Sequence, residues 1–218
     1  MSILGPWRGR VWAKGESPAS VASVPNLISV FRILLTPVFV IVLLADDGRL
    51  GAERIIAAVL FVVLIATDFV DGQIARRRNL VTDFGKLIDP IADKIITGAG
   101  FVMLSVLGEL PWIVTIIILL REWGITLHRL IVSERTVIAA AWSGKAKTFA
   151  QAIAVPLALM PLWLWLGDWV HAVNTIAMTA ALLLTLWSGI DYVWQAVRQR
   201  GGAVDAPSTV DPKHRSTE

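Results

Sequence analysis

The chain has 218 residues, of which 56% are hydrophobic and 17% are charged, and its mean hydropathy is +0.67. Soluble proteins carry about 25% charged residues, so this composition excludes an ordinary soluble fold and predicts an all-α, polytopic membrane protein of one domain. The absence of cysteine excludes disulfides and thiolate metal sites. The net charge of +3 lies in short segments between apolar runs, which favours a membrane surface over nucleic acid as the partner.

The N-terminal segment, residues 1–24, contains basic residues but no apolar stretch directly after them and no small-residue cleavage site. We therefore interpret it as a retained cytoplasmic segment and not as a signal peptide. The lack of both cysteine and a targeting peptide favours a bacterial inner membrane as the location.

Six apolar segments are long enough to cross a membrane, which requires about 20 residues. They form a predicted catalytic domain over residues 25–200, and the tail at 201–218, rich in Gly, Pro, Ser and charge, is expected to be disordered. The six predicted spans are Ile28–Ala45, Glu53–Arg76, Gly85–Leu107, Trp112–Ile131, Lys147–Leu166 and Trp169–Val197.

Basic residues indicate the orientation of these spans. With six spans both termini lie on the same side of the membrane, and almost all basic residues of the loops lie on that side, whereas the opposite loops hold only Arg49 and Arg54. Positive charge is enriched in cytoplasmic loops. Both termini are therefore predicted to be cytoplasmic.

Aspartates gather at the cytoplasmic ends of the second and third predicted spans. Asp68 and Asp71 share one face of the second helix, and Asp89 and Asp93, spaced by four residues, share one face of the third. Two antiparallel helices can therefore point four carboxylates at one another. Ionised carboxylates repel each other and are costly at membrane depth, so two divalent cations would balance their charge. Oxygen ligands without His or Cys select Mg²⁺ or Mn²⁺, and such ions commonly bridge phosphate oxygens.

Small residues lie beside these aspartates. Gly72, Ala75 and Gly85 clear side chains from the inner helix faces, and Arg76 can hold phosphate oxygens with two parallel hydrogen bonds. Taken alone, the small residues are more typical of ordinary helix packing in membranes than of a binding site.

The complete pattern D-x2-D-G-x2-A-R-x8-G-x3-D-x3-D, from Asp68 to Asp93, resembles the signature of the CDP-alcohol phosphotransferases. The resemblance implies six transmembrane helices, a homodimer, a bound CDP-linked lipid and displacement of CMP by an alcohol. Gln73 lies between residues that belong to the pattern, at a position where a hydrophobic or small residue is expected.

Four segments resemble the phosphatidylglycerophosphate synthases within that family, so that the similarity covers residues 25 to about 195. The segments are Pro25-Asn26-Leu27 (with Arg32-Ile33 and Pro37), the run from Leu87 to Lys94, Arg121-Glu122-Trp123 and the run from Gly144 to Gln151. This resemblance implies CDP-diacylglycerol as donor, sn-glycerol 3-phosphate as acceptor, and phosphatidylglycerophosphate and CMP as products.

Roles follow for individual residues once this reaction is assumed. Asp68, Asp71 and Asp89 are expected to hold the metals, with Asp93 as a further ligand and as the general base for the acceptor hydroxyl. The predicted nucleotide-binding residues are Asp68, Gly72, Ala75, Arg76, Thr82 and Gly85. The predicted ligands of the acceptor phosphate are Arg121, Lys145 and Lys147, with Arg32 and Arg129 as weaker candidates.

Simpler interpretations remain open for several charged residues. The basic residues near the acceptor site are also explained by the positive-inside rule. Glu122 is explained by pairing with Arg121, Lys94 is a charge partner or faces the headgroups, and His128 has no assigned role.

Two kinds of alternative function remain at this point. A sister enzyme would use another acceptor, as a cardiolipin synthase uses phosphatidylglycerol and a phosphatidylinositol phosphate synthase uses inositol phosphate. A proton- or cation-coupled transporter would instead carry its acids near the bilayer midplane, often in broken helices. Here the aspartates lie in one window near the cytoplasmic face.

Overall fold

The computed structural model of the chain describes residues 24–77, 83–132 and 142–202. All regular secondary structure in these ranges is helical, which confirms the predicted all-α class. The helices are α1 (Val24–Ala45), α2 (Ala52–Arg77), α3 (Asp83–Val106), α4 (Trp112–Val132), α5 (Trp142–Leu159), α6 (Trp163–Leu166) and α7 (Trp169–Gly202).

The fifth predicted span is wrong in its bounds, whereas the first four start and end within a few residues of helices α1 to α4. α5 ends at Leu159, and a separate four-residue helix, α6, follows it. Pro161 lies at the break, where its missing main-chain N–H removes one helical hydrogen bond and so favours the end of α5. Of the predicted terminal segments, only Val24 and Gly201–Gly202 lie within the described residues, and all three are helical.

The helices α1 and α7 contain segments long and apolar enough to cross a membrane, Asn26–Ala45 and Trp169–Arg198. Both helices present large apolar side chains on their outer surface, as at Leu34 and Ile190, which are 65% and 69% exposed. Such broad apolar surfaces are rare on soluble monomers and are typical of contact with lipid.

The core of the bundle lies where α2, α3 and α5 meet beneath α1. Phe39 and Phe61 pack with ring centroids 5.2 Å apart. Gly100 of α3 allows the close approach, because a Cβ atom there would lie 2.7 Å from both the Phe61 ring and Val155. α4 packs against α3 and α7, and α7 packs against α4, α5 and α6. In the part of the chain that the structure describes, α7 does not pack against α1, α2 or α3.

A buried arginine fixes the end of the bundle where α2 begins. Arg54 is 1% exposed, and its guanidinium donates to Glu109 at 2.6 Å and to the Leu159 carbonyl at 2.9 Å. These bonds join α2, the α3–α4 connection and the end of α5. We call Arg54, Glu109 and the carbonyls of Ala158 and Leu159 the distal cluster. The sequence analysis had treated Arg54 only as a charge of the opposite loops.

Candidate active site

The predicted aspartate site lies at the opposite end of the bundle, where α2 ends and α3 begins. α2 is helical through Asp68 and Asp71, α3 is helical through Asp89 and Asp93, and the two helices pack against each other. The side chains of Asp68 and Asp71 lie outside those that the structure describes. The convergence of all four carboxylates therefore remains a prediction. The two packed helices that it requires, α2 and α3, are present.

α1 supplies a support for Asp89. The Ser29 hydroxyl donates to Asp89 Oδ1 at 2.5 Å, and the guanidinium of Arg32 donates to Ser29 Oγ at 3.2 Å. Ser29 and Arg32 are each 1% exposed. Arg32, a weaker candidate for the acceptor phosphate, is thus buried behind the serine that holds Asp89. These two hydrogen bonds fix one oxygen of the Asp89 carboxylate. Residues that hydrogen-bond to a metal ligand orient it in the same way.

Asp93, one helical turn after Asp89, is held by the residue that follows it. Lys94 Nζ donates to Asp93 Oδ2 at 2.5 Å, and the Asp93 side chain remains 31% exposed. Lys94 is therefore a charge partner, the first of the two roles considered for it. The carboxylate of Asp93 is both oriented and reachable from outside.

A second buried carboxylate, Glu122 of α4, gathers three cations from three helices. Lys147 Nζ lies 2.7 Å from both of its oxygens, Arg121 lies at 2.9 Å and Lys94 at 3.0 Å. Glu122 is 3% exposed. Such a charge is tolerated inside a protein only when it is paired and hydrogen-bonded. We call Lys94, Arg121, Glu122 and Lys147 the glutamate cluster.

The glutamate cluster carries more positive than negative charge. Three cations face Glu122, and counting Asp93 as well leaves three positive against two negative charges, a formal excess of one. Because Lys94 contacts both Asp93 and Glu122, this excess lies directly beside the predicted metal site. The arrangement suits an anionic substrate with phosphate groups.

The three predicted ligands of the acceptor phosphate have different environments. Lys145 is exposed at the start of α5, whereas Lys147 is 4% exposed and bound to Glu122. Arg121 donates to Glu122 and, at 2.6 Å, to Ser188 of α7. Its buried Nε has no acceptor among the described residues, so the donor on this nitrogen is unused.

The sequence analysis missed the central position of Glu122, to which it gave only a pairing with Arg121. Lys147 lies 25 residues along the chain from Glu122, so helical spacing gives no sign of their contact. The sequence signal for this contact was only the general rule that ionisable residues inside a membrane almost always pair with one another.

The predicted nucleotide-binding residues are only partly described. Gly85 is buried in the first turn of α3. Gly72, Ala75 and Arg76 belong to α2, but their surroundings lie outside what the structure describes, and Thr82 lies outside the described residues altogether. The same holds for the side chain of Arg129.

Among the described side chains, no group of three or more acidic, histidine or cysteine residues could hold a metal ion. Asp89 and Asp93 alone provide the described part of the predicted ligand set. Both residues are partly exposed and lie one helical turn apart. Their carboxylates supply only oxygen ligands, which Mg²⁺ and Mn²⁺ prefer.

His128, which had no predicted role, lies at the same end of the bundle as the site. Its Nδ1 is 2.8 Å from the hydroxyl of Tyr192, and the two rings meet edge to face. Nearby, Ser143 donates to Asp191 at 2.6 Å. These contacts join α4 and α5 to α7 and hold the helix ends near the candidate site together.

Comparison with known proteins identifies the relatives of this chain. A family model described as CDP-alcohol phosphatidyltransferase matches residues 22–187. A probable phosphatidylglycerophosphate synthase of Mycobacterium tuberculosis is 42% identical over 184 residues, which cover 84% of this chain and 86% of the relative. Two proteins named CDP-diacylglycerol–glycerol-3-phosphate 3-phosphatidyltransferase also match. That of Bacillus subtilis is 40% identical over 81% of this chain and 97% of the relative, and that of Shigella flexneri is 33% identical over 78% and 93%.

Proposed function

The chain belongs to the CDP-alcohol phosphatidyltransferase family, and we propose that it transfers the phosphatidyl group of CDP-diacylglycerol to sn-glycerol 3-phosphate. The products are phosphatidylglycerophosphate and CMP, and the reaction serves the biosynthesis of phosphatidylglycerol. The observation that carries the proposal is the agreement of near-full-length relatives that are named for this reaction, together with the complete aspartate pattern on α2 and α3.

In the proposed site, Asp68, Asp71, Asp89 and Asp93 would hold two divalent cations, Mg²⁺ or Mn²⁺. The oxygen-only donor set fits these ions, and Ser29 orients Asp89 as a ligand support would. When bound, the cations neutralise charge on the pyrophosphate of the donor. Gly72, Ala75, Arg76, Thr82 and Gly85 are proposed to line the nucleotide pocket together with Asp68.

We assign Asp93 as the general base. The primary hydroxyl of the acceptor loses its proton to the Asp93 carboxylate as its oxygen bonds to the phosphorus that bears diacylglycerol. The bond from that phosphorus to the oxygen of CMP breaks, and CMP leaves with the bonding electron pair. The ammonium of Lys94, bound to Oδ2, keeps the carboxylate in one orientation while it remains accessible.

The acceptor phosphate is proposed to bind Arg121, Lys145 and Lys147. Arg121 has an unused donor on Nε, and Lys145 is exposed. Glu122 acts as a positioning residue, because it holds Lys94 against Asp93 and Lys147 beside Arg121. A phosphate dianion then meets cations that are already in place, so little ordering is needed on binding.

In the membrane we propose six spans, with both termini and the active site on the cytoplasmic side of a bacterial inner membrane. The basic residues of the sequence and the apolar helices α1 and α7 support this topology. The catalytic domain would cover residues 25–200, between a cytoplasmic segment at 1–24 and a disordered tail at 201–218. A homodimer is expected from the family resemblance.

The test is release of CMP by the purified protein in nanodiscs, with CDP-diacylglycerol and a panel of acceptors. We expect release with sn-glycerol 3-phosphate, loss of it in a chelator, and recovery on addition of Mg²⁺. Release with phosphatidylglycerol or inositol phosphate instead would identify a sister enzyme. Absence of CMP with every acceptor would overturn the assignment of a transferase.

A further inference from the structure

A groove runs along the membrane-facing surface between α4 and α7. It encloses about 670 Å³ and is lined almost entirely by apolar side chains, with Gly124 of α4 and Gly189 of α7 in its walls. No Cβ contact lies within 4 Å of Gly124, so the space beside this residue is open. Gly124 thus leaves open space in the groove, whereas a Cβ atom at Gly189 would lie 3.3 Å from Cγ of Arg121, so Gly189 makes room for the Arg121 side chain.

The length of the groove matches one leaflet of a bilayer. On α7 its lining runs from Leu186 to Arg198 along one helical face. Twelve residues at about 1.5 Å each give about 18 Å, close to half of the hydrocarbon core of about 30 Å. An acyl chain that lies along the groove would therefore fill it from the middle of the membrane to the interface.

The charges of the groove select an anionic occupant. Among the described residues, the charged side chains that line it are Arg121 and Arg198. Arg121 is bound to Glu122 and Ser188 and packs its stem near Gly189, whereas Arg198 is exposed and lies 5.7 Å from the ring centroid of Trp194. Tryptophan and arginine side chains are typical of the level of the lipid headgroups, where a guanidinium binds phosphate.

Asp89 and Asp93 do not line the groove, although Arg121 of the glutamate cluster does. The aspartates belong to α2 and α3, and the support of Asp89 comes from α1. α7, which forms the longer wall of the groove, packs against none of these three helices within the described residues. The occupant is therefore a resident lipid and not the donor substrate.

We propose that the α4–α7 groove binds one anionic phospholipid, with an acyl chain between Gly124 and Gly189 and its phosphate at Arg198. The site joins α4, which carries Glu122, to α7, which carries Ser188. The lipid phosphate at Arg198 takes no part in the transferase reaction, whereas Arg121, in the wall of the groove, also belongs to the glutamate cluster.

Native mass spectrometry of the full chain in mild detergent tests this proposal, with phosphatidylglycerol and phosphatidylcholine of identical acyl chains as probes. We expect one tightly held phosphatidylglycerol per protomer, preferred about five-fold over phosphatidylcholine, since one arginine near the surface contributes about 1 kcal/mol. Arg198→Gln should abolish the preference. Arg49→Gln, an exposed arginine at the other end of the bundle, should preserve it.

Gly124→Leu should lose the bound lipid of either class, because the new side chain fills the open space. Ala180→Leu adds the same bulk on an exposed position of α7 outside the groove and should retain the bound lipid.

Equal lipid retention in wild type and Gly124→Leu would overturn the site. One-for-one displacement by CDP-diacylglycerol would instead identify a donor site, and dissociation of an oligomer by Gly124→Leu would identify a second copy as the occupant. Either result would overturn a resident lipid.

Discussion

The two ends of the bundle bury charge in different ways. In the distal cluster one arginine faces one carboxylate, and its other donors bind the carbonyls of Leu159 and Ala158. In the glutamate cluster three cations share Glu122, and one of them also binds the partly exposed Asp93. The first set is charge-balanced and pairs the buried Arg54 with the exposed Glu109, whereas the second has excess positive charge around the buried Glu122.

This difference separates a structural cluster from a functional one. A charge-balanced pair needs no further partner, so loss of the buried Arg54 should affect folding and leave chemistry intact. An excess of buried positive charge raises the cost of folding unless an anion uses it. We therefore expect substitutions in the glutamate cluster to change turnover, and those in the distal cluster to change stability.

The largest effect is expected for Asp93→Asn. The amide keeps the shape of the side chain but cannot accept the proton of the acceptor hydroxyl, so turnover should fall by about 100- to 10,000-fold. CMP release measures turnover, and equilibrium binding of CDP-diacylglycerol should change little. Asp168→Asn, at an exposed position beyond α6, is the control. Full activity of the Asp93 variant would remove this residue from the role of base.

The same change made in both clusters tests the comparison directly. Glu122→Gln removes the charge that holds Lys94 and Lys147, and we expect kcat/KM for the acceptor to fall by about 10- to 100-fold, as for other residues that orient catalytic groups. Glu109→Gln removes the carboxylate of the distal cluster and should leave kcat/KM unchanged. Glu122→Asp should recover part of the activity. Equal kinetic effects of the two glutamine variants would contradict the distinction between the clusters.

Arg121→Ala tests the assignment of the acceptor site. Loss of one charged hydrogen-bond partner is expected to raise the KM for the acceptor by about ten-fold or more, with a much smaller change in the KM for the donor. Steady-state kinetics with each substrate varied in turn measure both values. A rise confined to the donor would place Arg121 at the nucleotide.

Arg54→Ala should show the opposite behaviour. The variant leaves Glu109 and the Leu159 carbonyl without their donor, so the free energy of unfolding should fall by about 1–3 kcal/mol. Thermal unfolding in detergent measures the loss, and kcat/KM near room temperature should not change. Arg49→Ala, exposed at the same end, is the control. A loss of catalytic rate without a loss of stability would give this end of the bundle a direct role in the reaction.

Features that depend on local sequence could be predicted. Apolar length located most helices, and the spacing of Asp68, Asp71, Asp89 and Asp93 indicated the family that the comparisons confirm. Apolar length gave the wrong end for the fifth predicted span, because tryptophan and leucine residues after Pro161 continue the apolar run although α5 has already ended.

Contacts between distant segments could not be predicted. Glu122 and Lys147 are on different helices, and their pairing depends on how α4 and α5 are placed against α3. Arg54 likewise meets Leu159, 105 residues away, because α2 begins where α5 ends. Periodicity assigns a residue to a face of its own helix but does not identify the helix that packs there.

The smallest effect is expected for Ser29→Ala, which removes the hydroxyl that donates to Asp89. The bound cation neutralises much of the Asp89 charge, so we expect this hydrogen bond to contribute about 0.5–1.5 kcal/mol and the apparent affinity for Mg²⁺ to fall by about two- to ten-fold without it. Titration of CMP release with Mg²⁺ measures it. Ser105→Ala removes a buried hydroxyl that pairs with Thr115 away from the aspartates and should leave the Mg²⁺ dependence unchanged. A shift in stability alone for both variants would mean that Ser29 supports α1 and not the metal ligand.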